Sequence, residues 1–128
     1  MSVQKRPFRF AFQALSLVAT MCASLSVFAA PPAQPANTLP TGGQVTAGQA
    51  AITQNGNTMT INQSTQRAAI NWNTYNVGSN ATVVYNQPNS QAVTLNRVTS
   101  ATPSQIDGAI KANGQVVIIN SNGVTFGK

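Results

Sequence analysis

Short runs of β-branched and apolar residues, each bounded by Asn, Gly or Ser, recur through the chain from Gln44 onward. Such runs predict β-strands, because branched side chains pack well on a pleated surface and the bounding residues favour turns. The clearest turn signal is the pair Asn55-Gly56. The sequence therefore predicts an all-β fold with strands at 44–47, 51–53, 58–62, 69–72, 82–85, 92–95 and 115–119.

Two further features indicate how these strands are arranged. Residues 58–62 alternate in polarity, which is typical of a strand with one wet face, whereas 116–119 form a continuous apolar run, typical of a strand covered on both faces. Asn and Gln make up 24 of the residues from Ala30 to Lys128. Amide side chains can hydrogen-bond between stacked coils. The composition therefore favours a β-solenoid over a sandwich or a small barrel.

Charged side chains are scarce. The chain has 7 Lys and Arg, one acidic residue, Asp107, and no His. Acid–base catalysis and metal binding need several such groups close together, so we expect no enzyme, no cofactor, no metal and no small-molecule substrate. The cations are scattered and no aromatic–basic stripe accompanies them, so we also expect no nucleic-acid partner.

The first 29 residues have the pattern of a secretory signal peptide. Three basic residues precede a mostly apolar stretch over 10–23, and compact side chains at positions 27 and 29 predict cleavage between Ala29 and Ala30. The stretch is short and interrupted by polar residues, so a membrane anchor is the weaker interpretation. We expect the general secretory translocon to export the chain to the periplasm.

Residues 30–40 contain four prolines and predict an extended, poorly ordered spacer. The one cysteine, Cys22, lies in the leader, so the exported chain must be held by packing and backbone hydrogen bonds, or by continuing into a larger structure. Within the remaining chain, 102–107 predict one helical turn, with Thr102 as N-cap and proline at the first helical position. Asp107 is expected to serve this turn and to have no functional role.

Several ordered motifs carry a resemblance to a known family. They are Ala-Ile-Asn-Trp-Asn-Thr-Tyr-Asn-Val-Gly at 69–78, Leu-Asn-Arg-Val-Thr at 95–99, Ile-Asp-Gly at 106–108 and Asn-Gly-Gln-Val-Val-Ile-Ile-Asn-Ser-Asn-Gly-Val at 113–124. Together they are similar to the N-terminal secretion domain, or TPS domain, of the filamentous haemagglutinin family. These are the exoproteins of two-partner secretion in Gram-negative bacteria. The resemblance covers roughly 41–128.

The resemblance implies a right-handed parallel β-helix with an N-terminal β cap, which we expect to be incomplete at its C-terminus because the sequence stops within it. It also implies a targeting function. An outer-membrane transporter of the Omp85 class would recognise the domain in the periplasm and pass the chain outward, so that it becomes secreted or displayed at the cell surface. Adhesin, haemolysin or toxin activity would lie in regions C-terminal to 41–128.

The candidate recognition and turn residues also follow from the resemblance. Asn120, Asn122 and Gly123 correspond to the family's Asn-Pro-Asn-Gly turn, with Ser121 in place of proline. Ser121 keeps the turn possible but leaves it less rigid.

A second pair of candidates, Asn96 and Arg97, stands where the family's Asn-Pro-Asn-Leu motif is absent, as in the adhesin branch. For Arg97 we favour hydrogen bonds from its planar guanidinium to backbone carbonyls over direct contact with the transporter. Trp72 is expected to be a core residue rather than a binding aromatic.

Two other functions are compatible with parts of the sequence. The amide-rich, nearly uncharged strands also suit a structural amyloid-like subunit of a surface fibre, but such a subunit predicts a regular short repeat, which is not found. A hydrolase using Ser with Lys111 as base needs no His, but no marked Ser motif lies near Lys111.

Overall fold

The computed structural model describes residues 33–127, and these form ten β-strands joined by turns. The predicted leader and its cleavage point between Ala29 and Ala30 lie outside the described residues. No helix in the described part is long and apolar enough to cross a membrane. The strands are β1 Gln44–Ala47, β2 Ala50–Asn55, β3 Thr58–Gln63, β4 Arg67–Trp72, β5 Thr82–Asn86, β6 Val93–Val98, β7 Ser104–Ile106, β8 Ala109–Ala112, β9 Gln115–Asn120 and β10 Val124–Phe126.

The chain winds into stacked coils, because strands that follow one another around each coil pair in parallel with their equivalents in the next. β3, β5 and β8 pair in this way along one side, and β4, β6 and β9 along a second side. On a third side β7 pairs in parallel with β10, and a bridge joins Val77 to Ile106. This is the predicted parallel β-helix, which is confirmed.

The first coil is covered by strands that run the other way. β1 is antiparallel to β4, and β2 is antiparallel to β3 in a hairpin closed by the pair Asn55↔Thr58. Gly56 has φ +62, and among residues 33–127 only glycines have a positive φ, so Asn57 does not. This combination gives a type II′ turn at 56–57. These two strands pair with the free edge of the first coil and form the predicted N-terminal β cap.

The core lies inside the coils, where alternate side chains of each strand point inward. Burial follows that period of two closely in β3, β4, β5 and β6. On the outside, Asn86 Nδ2 donates to Asn62 Oδ1 at 2.9 Å across paired strands, so the predicted hydrogen bonding between stacked amides is confirmed. The fully or almost fully buried apolar side chains include Met59, Ile61, Ile70, Trp72, Tyr75, Val77, Val83, Tyr85 and Ile106.

The helical turn predicted at 102–107 is wrong. Residues 104–106 are strand β7, with the Ser104 amide donating to Gly123 O at 2.9 Å and the Gln105 amide to Asn76 Oδ1 at 2.8 Å. Ile106 enters the core. The local capping signals at Thr102 are outweighed because the strand pairs with neighbouring coils and buries Ile106.

The poorly ordered spacer predicted at 30–40 is also wrong for its described part, which packs against the coils. The compact unit begins at Gln34. The Gly78 amide donates to Thr38 O at 2.8 Å, and Leu39 is buried in the core cluster. The segment is rich in proline yet ordered, because its carbonyls accept hydrogen bonds from the turn at Gly78.

Asp107 anchors this N-terminal segment. Its Oδ1 accepts from Gln105 Nε2 and its Oδ2 from Gln34 Nε2, both at 2.8 Å. These two hydrogen bonds, that from Gln105 first, lower the pKa of Asp107 below its ordinary value of 3.8, because they favour the charged form. The carboxylate therefore stabilises the fold above its ordinary pKa, and that contribution is lost as the pH falls through the lower folded-state pKa.

We expect the urea midpoint of unfolding to fall between about pH 5 and about pH 3, and to change much less in Asp107→Asn over the same range. Asp107 is the chain's one acidic side chain, so other carboxylates contribute little. Fluorescence of Trp72, the one tryptophan, reports unfolding. An equal acid shift in the wild type and in Asp107→Asn would contradict the assignment.

Candidate functional site

Asn96, a predicted recognition residue, lies inside the β-helix and has no exposed surface. Its Oδ1 accepts from Trp72 Nε1 at 2.9 Å and from Tyr85 OH at 3.1 Å, while its Nδ2 donates to Val117 O at 3.2 Å. Trp72 lies on β4 in the first coil, Asn96 on β6 in the second coil and Val117 on β9 in the third coil. One buried amide therefore joins three successive coils.

The aromatic side chains around Asn96 complete this network. The Tyr85 hydroxyl donates its one hydrogen bond to Asn96 Oδ1. In the 2.6 Å contact between the Tyr75 and Tyr85 hydroxyls, Tyr75 is therefore the donor. Burial raises the pKa of Tyr75 to about 12, and burial also raises the pKa of Tyr85, so both rings stay neutral. The rings of Trp72 and Tyr75 meet edge to face with centroids 5.5 Å apart. The prediction that Trp72 is a core residue is confirmed.

The predicted turn at Asn120, Asn122 and Gly123 stacks on residues 100–104 of the second coil. Asn120 Nδ2 donates to Thr102 O at 3.1 Å and to Ser104 Oγ at 3.0 Å, and its Oδ1 accepts the Asn122 amide at 2.8 Å. Asn122 Nδ2 donates to Ser100 O at 2.8 Å. Gly123 has φ +104, a conformation that other residues rarely adopt. These residues join the second and third coils.

Arg97 differs from the other candidates because it lies on the outer surface of β6. Within the described residues its guanidinium makes no hydrogen bond, so the predicted bonds to backbone carbonyls are not formed. Arg97 is paired in register with Asn71 on one side and Ile119 on the other. The structure therefore does not bring Arg97 together with Asn96, whose side chain points the opposite way.

The outer face around Arg97 is largely apolar. Ala69, Leu95 and Val117 form a row across β4, β6 and β9, and Val117 and Ile119 are 42% and 47% exposed. The prediction that the apolar run in β9 is covered on both faces is therefore wrong within the described chain. Beside this row is a shallow cavity of about 500 Å³ lined by Ala47, Gly48, Arg67, Ala68, Ala69, Val93 and Leu95.

A second buried polar network was not identified from the sequence. Gln87 Nε2 donates to Thr94 Oγ1 at 3.0 Å and to Gln115 O at 2.8 Å, and Thr94 Oγ1 donates to Gln63 Oε1. All three side chains are buried. The signal for it is the dipeptide Asn-Gln at 62–63, which recurs at 86–87, the paired position of the next coil.

Within residues 33–127 no cluster of three His, Cys, Asp or Glu could hold a metal ion. Lys111 lies exposed on β8. Asn96, which is buried, and Asn120 and Asn122 make hydrogen bonds between coils.

Comparison with known proteins identifies the family to which this fold belongs. A match to the TPS secretion domain family covers residues 36–128. The chain belongs to this family. The crystal structure of the HMW1 secretion domain from Haemophilus influenzae superposes with a TM-score of 0.66 at 40% identity, covering 70% of this chain and 24% of that one.

Two related proteins come from the same organism, and both are named heme/hemopexin-binding protein. One is 43% identical over 89 residues, which is 70% of this chain and 10% of the relative. The other is 44% identical over 66 residues, which is 52% of this chain and 7% of the relative. The chain thus spans about a tenth or less of the length of these relatives.

These matches confirm the predicted resemblance to the secretion domains of two-partner exoproteins. Proteins with this domain are exported, and are secreted or displayed at the cell surface. Two-partner secretion pairs such a domain with a transporter. The matched proteins are named as a secretion domain and as binding proteins, not as enzymes.

Replacing the amide of Asn96 with an apolar side chain tests its role in joining the coils. Asn96→Leu removes the acceptor of the buried Trp72 Nε1 and Tyr85 OH and the donor to Val117 O, so we expect the free energy of unfolding to fall by about 3 kcal/mol. Urea titration followed by Trp72 fluorescence measures the loss. Asn86→Leu, which removes an exposed amide pair, is the control and should cost less than about 1 kcal/mol. Equal losses would contradict the assignment.

Proposed function

We propose that this chain is the N-terminal targeting domain of an exported exoprotein, that it is not an enzyme, and that an outer-membrane transporter of the Omp85 class recognises it. The observation that carries the proposal is the TPS family match over 36–128, on a capped β-helix whose polar groups are engaged between coils. The effector activity then belongs to other parts of the exoprotein.

The route of export forms part of this proposal. The general secretory translocon delivers the chain to the periplasm through its leader, which is removed between Ala29 and Ala30. The basic beginning, short apolar stretch and compact residues before the cleavage point support this route.

We expect amino-terminal sequencing of the exported protein to read from Ala30. Ala29→Arg places a long charged side chain at the last position before cleavage, so the leader should remain attached and export should decline. Ala33→Arg is the matched control and should be processed normally. A product that keeps its first residues, or an Ala29→Arg chain cleaved at the normal position, would refute the leader assignment.

The transporter recognises the chain before its coils close. In the folded domain the amides of Asn96, Asn120 and Asn122 are all hydrogen-bonded to neighbouring coils, and Asn96 has no exposed surface. In the partly extended chain these groups are free to bind a partner. Arg97 is available in both states, because it lies on the outer face.

Folding and release are linked in this scheme. A partner that binds the open chain but not the closed coils competes with folding by mass action. When the third coil is added, Asn96 gains Val117 O and Asn120 gains Thr102 O. The same hydrogen bonds that stabilise the β-helix therefore remove the groups that the transporter binds.

The test compares variants that destabilise the fold in two different ways. We expect Asn96→Leu to bind the transporter's periplasmic modules roughly tenfold more weakly than Ile70→Ala, a core variant of similar instability, which corresponds to the loss of about 1.4 kcal/mol of contact. Ile70→Ala removes a buried core side chain and destabilises by about 2–5 kcal/mol, but leaves every candidate recognition residue intact. Its binding should be unchanged or stronger. Affinity is measured with purified modules and full-length chain.

A second pair of variants isolates the exposed candidate. Arg97→Ala should weaken binding, while Arg67→Ala, an exposed arginine of the neighbouring strand, should not. If Ile70→Ala weakens binding as much as Asn96→Leu does, the transporter recognises the folded domain and the proposed order of events is wrong. If both arginine variants bind equally well, Arg97 has no part in recognition.

A further inference from the structure

The chain contains three Asn-Gly pairs, at 55–56, 113–114 and 122–123. Asn-Gly is the dipeptide most open to spontaneous deamidation, because glycine leaves its backbone nitrogen unhindered beside the asparagine side chain. The reaction needs that nitrogen to reach the side-chain carbonyl carbon. The structure of each pair therefore decides which asparagine can react while the chain is folded.

The pair at 113–114 is held at both reacting groups. Asn113 Oδ1 accepts the Gln87 amide and Asn113 Nδ2 donates to Gln87 O, both at 2.7 Å. The Gly114 amide, which would be the nucleophile, donates to Gln87 Oε1 at 2.8 Å. Reaction here requires all three hydrogen bonds to open.

The pair at 122–123 is also held by hydrogen bonds, one to the second coil and one within its own turn. Asn122 Nδ2 donates to Ser100 O at 2.8 Å, and the Gly123 amide donates to Asn120 O at 2.9 Å. Both the leaving group and the nucleophile are engaged.

The pair at 55–56 lies exposed at the tip of the β2–β3 hairpin. Within the described residues the Asn55 side chain makes no hydrogen bond and the Gly56 amide donates none. The space where a Cβ of Gly56 would stand has no neighbouring atom within 4 Å. We propose that Asn55 is a site of spontaneous deamidation in the folded chain, a modification independent of the transporter function proposed above.

The reaction needs only water. The Gly56 backbone nitrogen attacks Cγ of Asn55, a bond forms between them, the bond from Cγ to Nδ2 breaks, and ammonia leaves with the proton of the Gly56 nitrogen. The product is a five-membered succinimide. Water then opens either of its carbonyls, giving Asp at position 55 or its isomer, in which the backbone runs through the side-chain carboxyl carbon.

Both products alter the N-terminal cap. Each adds a carboxylate to a chain that otherwise has one acidic side chain, Asp107. The isomer also lengthens the backbone by one carbon at Asn55, where the pair Asn55↔Thr58 closes the hairpin. The register of the turn is then lost, and the edge that the cap covers becomes less protected.

Peptide mass mapping of the purified full chain, incubated in mildly alkaline buffer, measures the reaction at each pair. We expect Asn55 to react at least about tenfold faster than Asn113 and Asn122, because those two must first open their hydrogen bonds. In concentrated urea the three pairs should react within about threefold of one another, since unfolding removes the protection.

Asn55→Gln is the matched control, because the longer side chain does not close the five-membered ring, and it should abolish the reaction at this position alone. Circular dichroism confirms that the incubated chain keeps its β structure. The proposal is overturned if Asn113 or Asn122 reacts as fast as Asn55 in the folded chain. It is also overturned if Asn55 stays intact in buffer while it reacts in urea.

Discussion

The hydrogen bonds of the Asn96 side chain are the interaction on which the stacking of the coils depends. A parallel β-helix has one backbone ladder on each side, and these ladders alone would tolerate a slip of a coil against its neighbour. Asn96 permits no such slip, because its oxygen is held by Trp72 and Tyr85 while its nitrogen is held by Val117 O. Leaving one polar group of a buried amide without a partner costs more free energy than a single hydrogen bond contributes. The network therefore favours one register of the coils over all others.

The same principle explains why amide side chains, rather than ion pairs, suit the buried polar contacts of this fold. Burying an ion pair requires removing two charges from water, which often costs as much as the pair returns. An amide carries both a donor and an acceptor, so a side chain such as Gln87 can bond to Thr94 in its own coil and to Gln115 O in the next coil without that cost. Amides can therefore fill polar positions inside the coils of a chain that has few charged side chains.

Strand period and turn residues predicted the all-β class and most strands, because they are local signals that the tertiary structure did not override, whereas the parallel β-helix with its cap was implied by the family resemblance. Prediction from local signals failed where long-range pairing decides the outcome. Capping residues at Thr102 predicted a helical turn, but parallel pairing with β10 makes 104–106 a strand. Proline content predicted disorder at 30–40, but the contacts of Leu39 order the described part of that segment. For Arg97 the residue type predicted backbone hydrogen bonds, while its place on the outward face of β6 is decided by the register of the strand.

The direction of the chain gives these networks a further property. Asn62 finds its partner Asn86 only when the second coil is in place, and Asn96 finds Val117 O only when the third is. Each coil therefore leaves polar groups that the following coil satisfies, and a coil formed too early keeps unpaired amides that water must solvate. A chain delivered from its N-terminus gains stability in that order, with the cap covering the first edge and each new coil engaging the one before it. The arrangement suits the export proposed above, in which the chain crosses a membrane unfolded, because the bonds of Asn62 to Asn86 and of Asn96 to Val117 O lie between coils.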